Sequence, residues 1–206
     1  MAKRQFKVYP LPTCLAYAFS DLTSLAPTIQ QGGGQIDAYR LVRSKVQVFP
    51  NRFQLNHTGA GALRTRFDLT VKNNGPVAIT YQVNHLPSAS VYVYSAEKGD
   101  WGQEFPPTLV KDIVATIDFA WSNFTVNPGA SRVLRFQIVV PTGFVEDRLP
   151  IISGFVSLVG SNGETISVPY AGMYLLPQGS PKKLPIQFLQ LVYISSNAVA
   201  HFDIQL

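Results

Sequence analysis

From Lys45 onward, apolar and polar residues alternate with a period of two. In Leu63–Lys72, Leu63, Thr65, Phe67, Leu69 and Val71 take one face, and Arg64, Arg66, Asp68, Thr70 and Lys72 take the other. That alternation predicts a half-buried antiparallel strand. Asn73-Asn74-Gly75-Pro76 is a turn cluster, after which Val77, Ile79, Tyr81 and Val83 begin the next strand. Val91–Tyr94 is short and β-rich. Asn127-Pro128-Gly129 turns the chain into Ser131–Val140, where Leu134, Phe136, Ile138 and Val140 alternate with Arg135 and Gln137. Pro141 stops that ladder. Gly160-Ser161-Asn162-Gly163 separates Ile152–Val159 from Glu164–Tyr170. Asn-Gly between two apolar β runs is a strong hairpin signal, because both residues tolerate positive φ. The pattern predicts about seven strands between Lys45 and Met173, the spacing of an all-β antiparallel sandwich. Phe67, Leu69, Val71, Tyr81, Leu134, Phe136 and Ile138 should face inward, and Arg64, Arg66, Lys72 and Arg135 outward.

The two ends read differently. Residues 1–31 contain Pro10, Pro12 and Pro27, show no period and are expected to be irregular. Gly32-Gly33-Gly34 precedes a stretch in which Ile36, Tyr39 and Val42 share a helical face. This short N-terminal helix has too few turns to be stable alone in water. Beyond the polar linker Gln178–Lys183, Phe188–Ile194 and Val199–Leu206 read as a partial C-terminal hairpin. Two strands make a marginal unit. The expectation is a protease-resistant core of residues 45–175 flanked by labile segments.

Composition narrows the class. The 206 residues carry 17 Lys and Arg against 12 Asp and Glu, a formal charge of +5, and 46% are hydrophobic. Charged residues are only 14%, against about 25% in an average soluble domain. A disordered or acidic-tail protein is excluded, because such chains lack the apolar surface to offset chain entropy. Cys14 is the single cysteine, so there is no intrachain disulfide and no multi-cysteine metal site. No window approaches the roughly 18 apolar residues of a membrane helix. The patch Leu11–Phe19, broken by proline, makes a poor signal peptide.

Candidate chemistry is sparse. His57, His85 and His201 have no His or Cys at a metal-ligand spacing. His57, in Asn56-His57-Thr58-Gly59, reads as part of a loop, and His85 lies at a strand end before Leu86-Pro87. The triple glycine lacks the Gly-Lys-Ser/Thr of a phosphate loop and reads as a flexible lead-in to the short helix. No catalytic, cofactor-binding or metal-binding residue is assigned. Arg64, Arg66, Arg132 and Arg135 fall on outward strand faces, where a solvated surface explains them without nucleic acid. Asn56 and Asn123 open two sequons, Asn-His-Thr and Asn-Phe-Thr, and are the candidate N-glycosylation sites of a secreted chain.

Two stretches carry a family resemblance. Gln30-Gln31-Gly32-Gly33-Gly34-Gln35-Ile36-Asp37-Ala38-Tyr39 resembles the segment that closes the catalytic domain of subtilisin-like serine proteases. Phe67–Gln82, Phe124–Gly129, Gly154–Leu158 and Val168–Gly172 together resemble the fibronectin-III-like domain that follows it in large subtilases of the C5a-peptidase type and their fungal relatives. Val192–Leu206 is similar to the opening hairpin of the next module. The resemblance implies three parts. Residues 1–44 would hold a remnant of the catalytic-domain end, 45–175 a fibronectin-III-like or immunoglobulin-like sandwich, and 184–206 the start of a further β module. It also implies an extracellular or cell-surface setting, a subtilase catalytic domain as partner, and contact with protein substrate or cell wall.

The Asp-Thr/Ser-Gly, His-Gly-Thr-His and Gly-Thr-Ser-Met/Ala segments that carry the family's triad are absent from these 206 residues. Catalysis needs all three roles in one constellation. The implied role is therefore a non-catalytic accessory piece of a subtilisin-like endopeptidase, in keeping with a truncated gene product. The rival reading is a freestanding immunoglobulin-like adhesion or structural sandwich. A hydrolase built on unrelated residues has no motif to support it.

Overall fold

Backbone pairing follows the alternation closely. A computed structural model of the chain describes residues 8–9, 25–33, 35–36, 38–57, 63–95, 103–145 and 148–174. In chain order its elements are β1 (Val8–Tyr9), α1 (Thr28–Gln31), β2 (Gln35–Ile36), α2 (Ala38–Arg43), β3 (Val46–Phe49), β4 (Phe53–His57), β5 (Arg66–Asn73) and β6 (Ile79–Pro87). There follow β7 (Ser90–Tyr94), β8 (Gln103–Val110), β9 (Thr116–Phe119), β10 (Asn123–Val126), β11 (Ser131–Val139), β12 (Pro150–Gly160) and β13 (Thr165–Met173).

Two sheets face each other. The smaller runs β3-β5-β11-β9 and is antiparallel throughout. The larger runs β10-β6-β12-β13-β4, with β4 parallel to β13. β12 outruns β6 at its start, so β7 pairs there with Pro150 and Ile151, and β8 lies beside β7. All seven residues expected inside are buried, and the four expected outside are exposed. Leu134 pairs with Leu69 and Phe136 with Phe67, so both strands send their apolar sets into the gap between the sheets. There the Phe53 ring meets Phe136 edge-on at 4.9 Å and Phe67 at 5.1 Å, separations at which tilted ring pairs attract. A second, smaller cluster of Val91, Val93, Tyr94, Leu149, Ile151 and Met173 fills the β7 end.

Several expectations need correction. Among the described residues, eleven strands, not about seven, lie between Val46 and Met173. The pattern hid β8 because it contains Pro106 and Pro107, which are tolerated here since β8 pairs only with β7 and is an edge. It hid β4, β9 and β10 because each is only four or five residues long. Val77 stays outside β6 and exposed, because the buried Asn73 side chain holds the turn. Its amide donates to the carbonyls of Val77 and Val126 at 2.7 and 3.1 Å, and its oxygen accepts the Gly75 N–H at 2.9 Å.

The N-terminal stretch is not uniformly irregular, since it holds β1 and α1. Pro27 caps α1 with φ −56°, preset by its ring. Gly32 does not lead into a helix but ends α1, with φ 61° and its N–H on the Thr28 carbonyl. Ile36 is not helical either. It pairs with Val8 in β2, and the helix begins at Ala38. On α2, Tyr39 and Val42 remain 66% and 71% exposed.

This segment is joined to the sandwich. The Thr28 N–H donates to Ser153 Oγ at 3.1 Å, and the Leu25 carbonyl accepts the Ala89 N–H at 3.1 Å. α1 and β1 lie against β13, and α1 also touches β12. β12 is buried at every position except Val159. The expected strands at Phe188–Ile194 and Val199–Leu206 lie outside the described residues.

Candidate functional site

An open groove of about 1030 Å³ lies at the rim of the sandwich, lined by outward residues of the smaller sheet together with Phe53, Gln54 and Asn56 of β4. Its floor follows from register. Asp118, Gln137 and Arg66 stand in one row across β9, β11 and β5, and Arg135 and Asp68 in the next. One wall is the segment 49–54 that joins β3 to β4, with Phe49 exposed at its head. Arg52 and Arg64 line the same groove beside the Phe53–Phe67 contact. Arg64 stacks its guanidinium 5.0 Å from the centre of the Phe67 ring, a favourable cation–π arrangement. Arg66 donates weakly to Gln137 Oε1 at 3.4 Å. Arg135 approaches Asp68 at 3.8 Å, but both side chains are largely exposed, and such pairs are worth little. Among the described residues, no carboxylate pairs with Arg52, Arg64 or Arg66.

The sequence placed Arg64, Arg66 and Arg135 on a solvated face, and they are exposed. It missed their collection in one concavity, and it missed Arg52 altogether. Phe49-Pro50-Asn51 carries a turn signal, but only the folded chain shows that this turn leaves β3 beside β5 and lines the same groove as Arg64 and Arg66. Arg132 does not join the groove; it lies over the Trp121 ring at 5.0 Å.

The two described histidines, His57 and His85, sit on different strands, β4 and β6. His85 lies within β6, two residues short of its end, and its Nε2 is 2.8 Å from Tyr170 Oη. Burial pushes its imidazole down to about 4 and pushes the Tyr170 phenol up. Both therefore stay neutral at physiological pH and share one hydrogen bond. The two rings also pack together, with their centroids 5.8 Å apart. Gly154 makes room for it: a Cβ at that position would come within 2.5 Å of Tyr170 Oη.

His57 is not in a loop. It is the last residue of β4, paired with Met173, and its buried Nδ1 has no hydrogen-bond partner. The loop reading failed because β4 continues through Asn56 at φ 64°, a left-handed conformation that asparagine tolerates. Asn56 is exposed on the groove wall, and Asn123 is exposed at the start of edge strand β10, opposite Gln82. Among the described residues, no group of three or more His, Cys, Asp or Glu gathers to hold a metal. No described helix is long and apolar enough to cross a membrane. Cys14 and His201 lie outside the described residues.

A stretch of 108 residues, 52% of this chain, is 28% identical to the PI-type proteinase of Lactococcus lactis subsp. cremoris. A stretch of the same length is 27% identical to the PII-type proteinase of Lacticaseibacillus paracasei. In both cases the match spans only 5% of the proteinase. Among solved structures, the ASH/PapD-like domain of human CEP192 aligns with a TM-score of 0.44 at 11% identity, covering 64% of this chain and 85% of that one. The periplasmic chaperone SfaE aligns with a TM-score of 0.35 at 18% identity, covering 67% and 59%. Residues 53–171, more than half of the chain and most of the sandwich, match the Fn3-like domain, and the chain belongs to that family.

Proposed function

We propose that this chain serves as a non-catalytic accessory module of a secreted or cell-surface subtilisin-like serine endopeptidase, packing on the catalytic domain and contacting its protein substrate. The carrying observation is that an Fn3-like sandwich and a likeness to bacterial proteinases occur in the same chain. The segment 30–39, which resembles the end of a subtilase catalytic domain, supports the reading from the sequence side. Geometry supports it too, because α1 runs directly into that segment and is bonded to the sandwich through Thr28 and Ser153. A catalytic domain ending there would be tied to the outer face of β12 and β13.

On this reading residues 1–44 carry the catalytic-domain end, 45–175 the accessory sandwich and 184–206 the start of the next β module. Among the described residues, His85 is held by the Tyr170 phenol, whereas triad chemistry needs an oriented imidazole beside the nucleophile. Asn56 and Asn123, both exposed, are the acceptors for N-linked glycan on the secreted protein.

The test is a replacement in the lactococcal PI-type proteinase. Deleting its matched stretch should lower secreted casein-hydrolysing activity and heat resistance, and inserting the full chain in its place should restore both. The purified chain alone should neither hydrolyse casein nor react with a fluorophosphonate probe. A replacement no better than the deletion, or stoichiometric labelling of the chain itself, would overturn the reading.

A further inference from the structure

We propose that the groove lined by Arg52, Arg64 and Arg66 at the rim of the smaller sheet binds an extended acidic peptide segment. The assignment rests on the groove itself and goes beyond the proteinase reading without requiring it. Arg52, Arg64 and Arg66 line one concavity with no described carboxylate to pair with them. Guanidinium groups match carboxylates as two-pronged donors and are more weakly hydrated than ammonium groups. Like charges brought to one site repel, so an entering carboxylate gains from the whole set.

The aspartates decide between occupants. Asp118 shares a row with Arg66 across β11, and Asp68 lies beside Arg135. A uniform polyanion such as a phosphate polymer or nucleic acid would lay charge against both carboxylates. A peptide can instead space its carboxylates and set neutral or basic side chains opposite Asp68 and Asp118. The exposed Phe49 at the wall offers an apolar contact for one side chain of that peptide. Three strands and a wall at about 4.8 Å spacing give a span of about 15 Å, which about four or five extended residues fill.

Fluorescence anisotropy with a fluorescein-labelled eight-residue peptide, glutamate at alternate positions, tests this on the full chain. Saturable binding is expected that weakens with salt, and the same peptide with glutamine for glutamate should not bind. The Arg64→Gln/Arg66→Gln double variant should lose about tenfold or more in affinity, as for loss of charge-assisted bidentate contacts. Arg132→Gln, outside the groove, should change it by less than about twofold. Both variants alter exposed positions, and circular dichroism melts confirm that each is folded. Three results would overturn the proposal: no saturable binding, equal binding by the double variant, or polyphosphate displacing the peptide more effectively than unlabelled peptide does.

Discussion

The two outer faces of this sandwich have opposite fates. On β5 and β11 alternate residues face outward, all exposed except the half-buried Thr70, and arginines, aspartates and glutamine stand in water. On β12 and β13 the corresponding positions, Ser153, Phe155, Ser157 and Ser167, are buried. The small serines let a further layer approach closely, and Ser153 Oγ accepts the Thr28 N–H. Burying a hydroxyl without a partner costs free energy, and Ser88 and Ser167 have none. The covered face therefore works by shape, while the open face keeps its charges available to a ligand. A sandwich needs only its inner faces to fold; what each outer face does is a separate matter.

The comparison sharpens into ranked expectations. The interior shared by both sheets should be the most sensitive. Phe136→Ala removes a ring packed on Phe53, Phe67 and Phe119 and should cost about 3–5 kcal/mol by denaturant titration, as for buried aromatics generally. Gly154→Ala comes next. Its new methyl would press on the buried Tyr170 ring and should cost about 1–3 kcal/mol through overpacking and loss of the His85 bond.

A pH effect of intermediate size belongs to His85. Its folded value of about 4 lies below the ordinary histidine value of about 6.5. Between those limits the unfolded chain binds the extra proton. The His85 contribution is therefore complete above about pH 6.5 and is lost as the pH falls towards 4. A shift of that size bounds the change at about 3 kcal/mol, and screening at the partly exposed side chain keeps it below that bound. Melts of the parent and His85→Gln from pH 7.5 to 4 should converge at the acid end. The smallest effect belongs to the open face: a double-mutant cycle on Arg135 and Asp68, an exposed pair at 3.8 Å, should return less than about 0.5 kcal/mol of coupling.

Alternation made the half-wet face legible. In β5 and β11 water on one side forces polar residues into every second place, and the inward set could be read residue by residue. The hairpin at Gly160–Gly163 was equally plain, because Gly163 adopts φ 76°, which few residues other than glycine and asparagine accept. β12 was legible as a strand, but nothing in its near-continuous run of apolar and small residues says that both faces are covered. The edge strands β8 and β9 were lost for a different reason: an edge tolerates proline and partial exposure. The groove was not legible. Arg52 and Arg66 are 14 positions apart in sequence, and only the placing of the 49–54 segment beside β5 unites them.

Thiol labelling compares the two faces in one measurement. In a Cys14→Ser background, a single cysteine is placed at Ser157 on the covered face or at Gln137 on the open one, and maleimide reaction is followed under native conditions. Gln137→Cys should react like an unhindered thiol. Ser157→Cys should react slower by about a hundredfold or more, limited by opening of the covering layer. Equal rates at the two positions would contradict the account, because the face of β12 and β13 would then be as open to solvent as the groove.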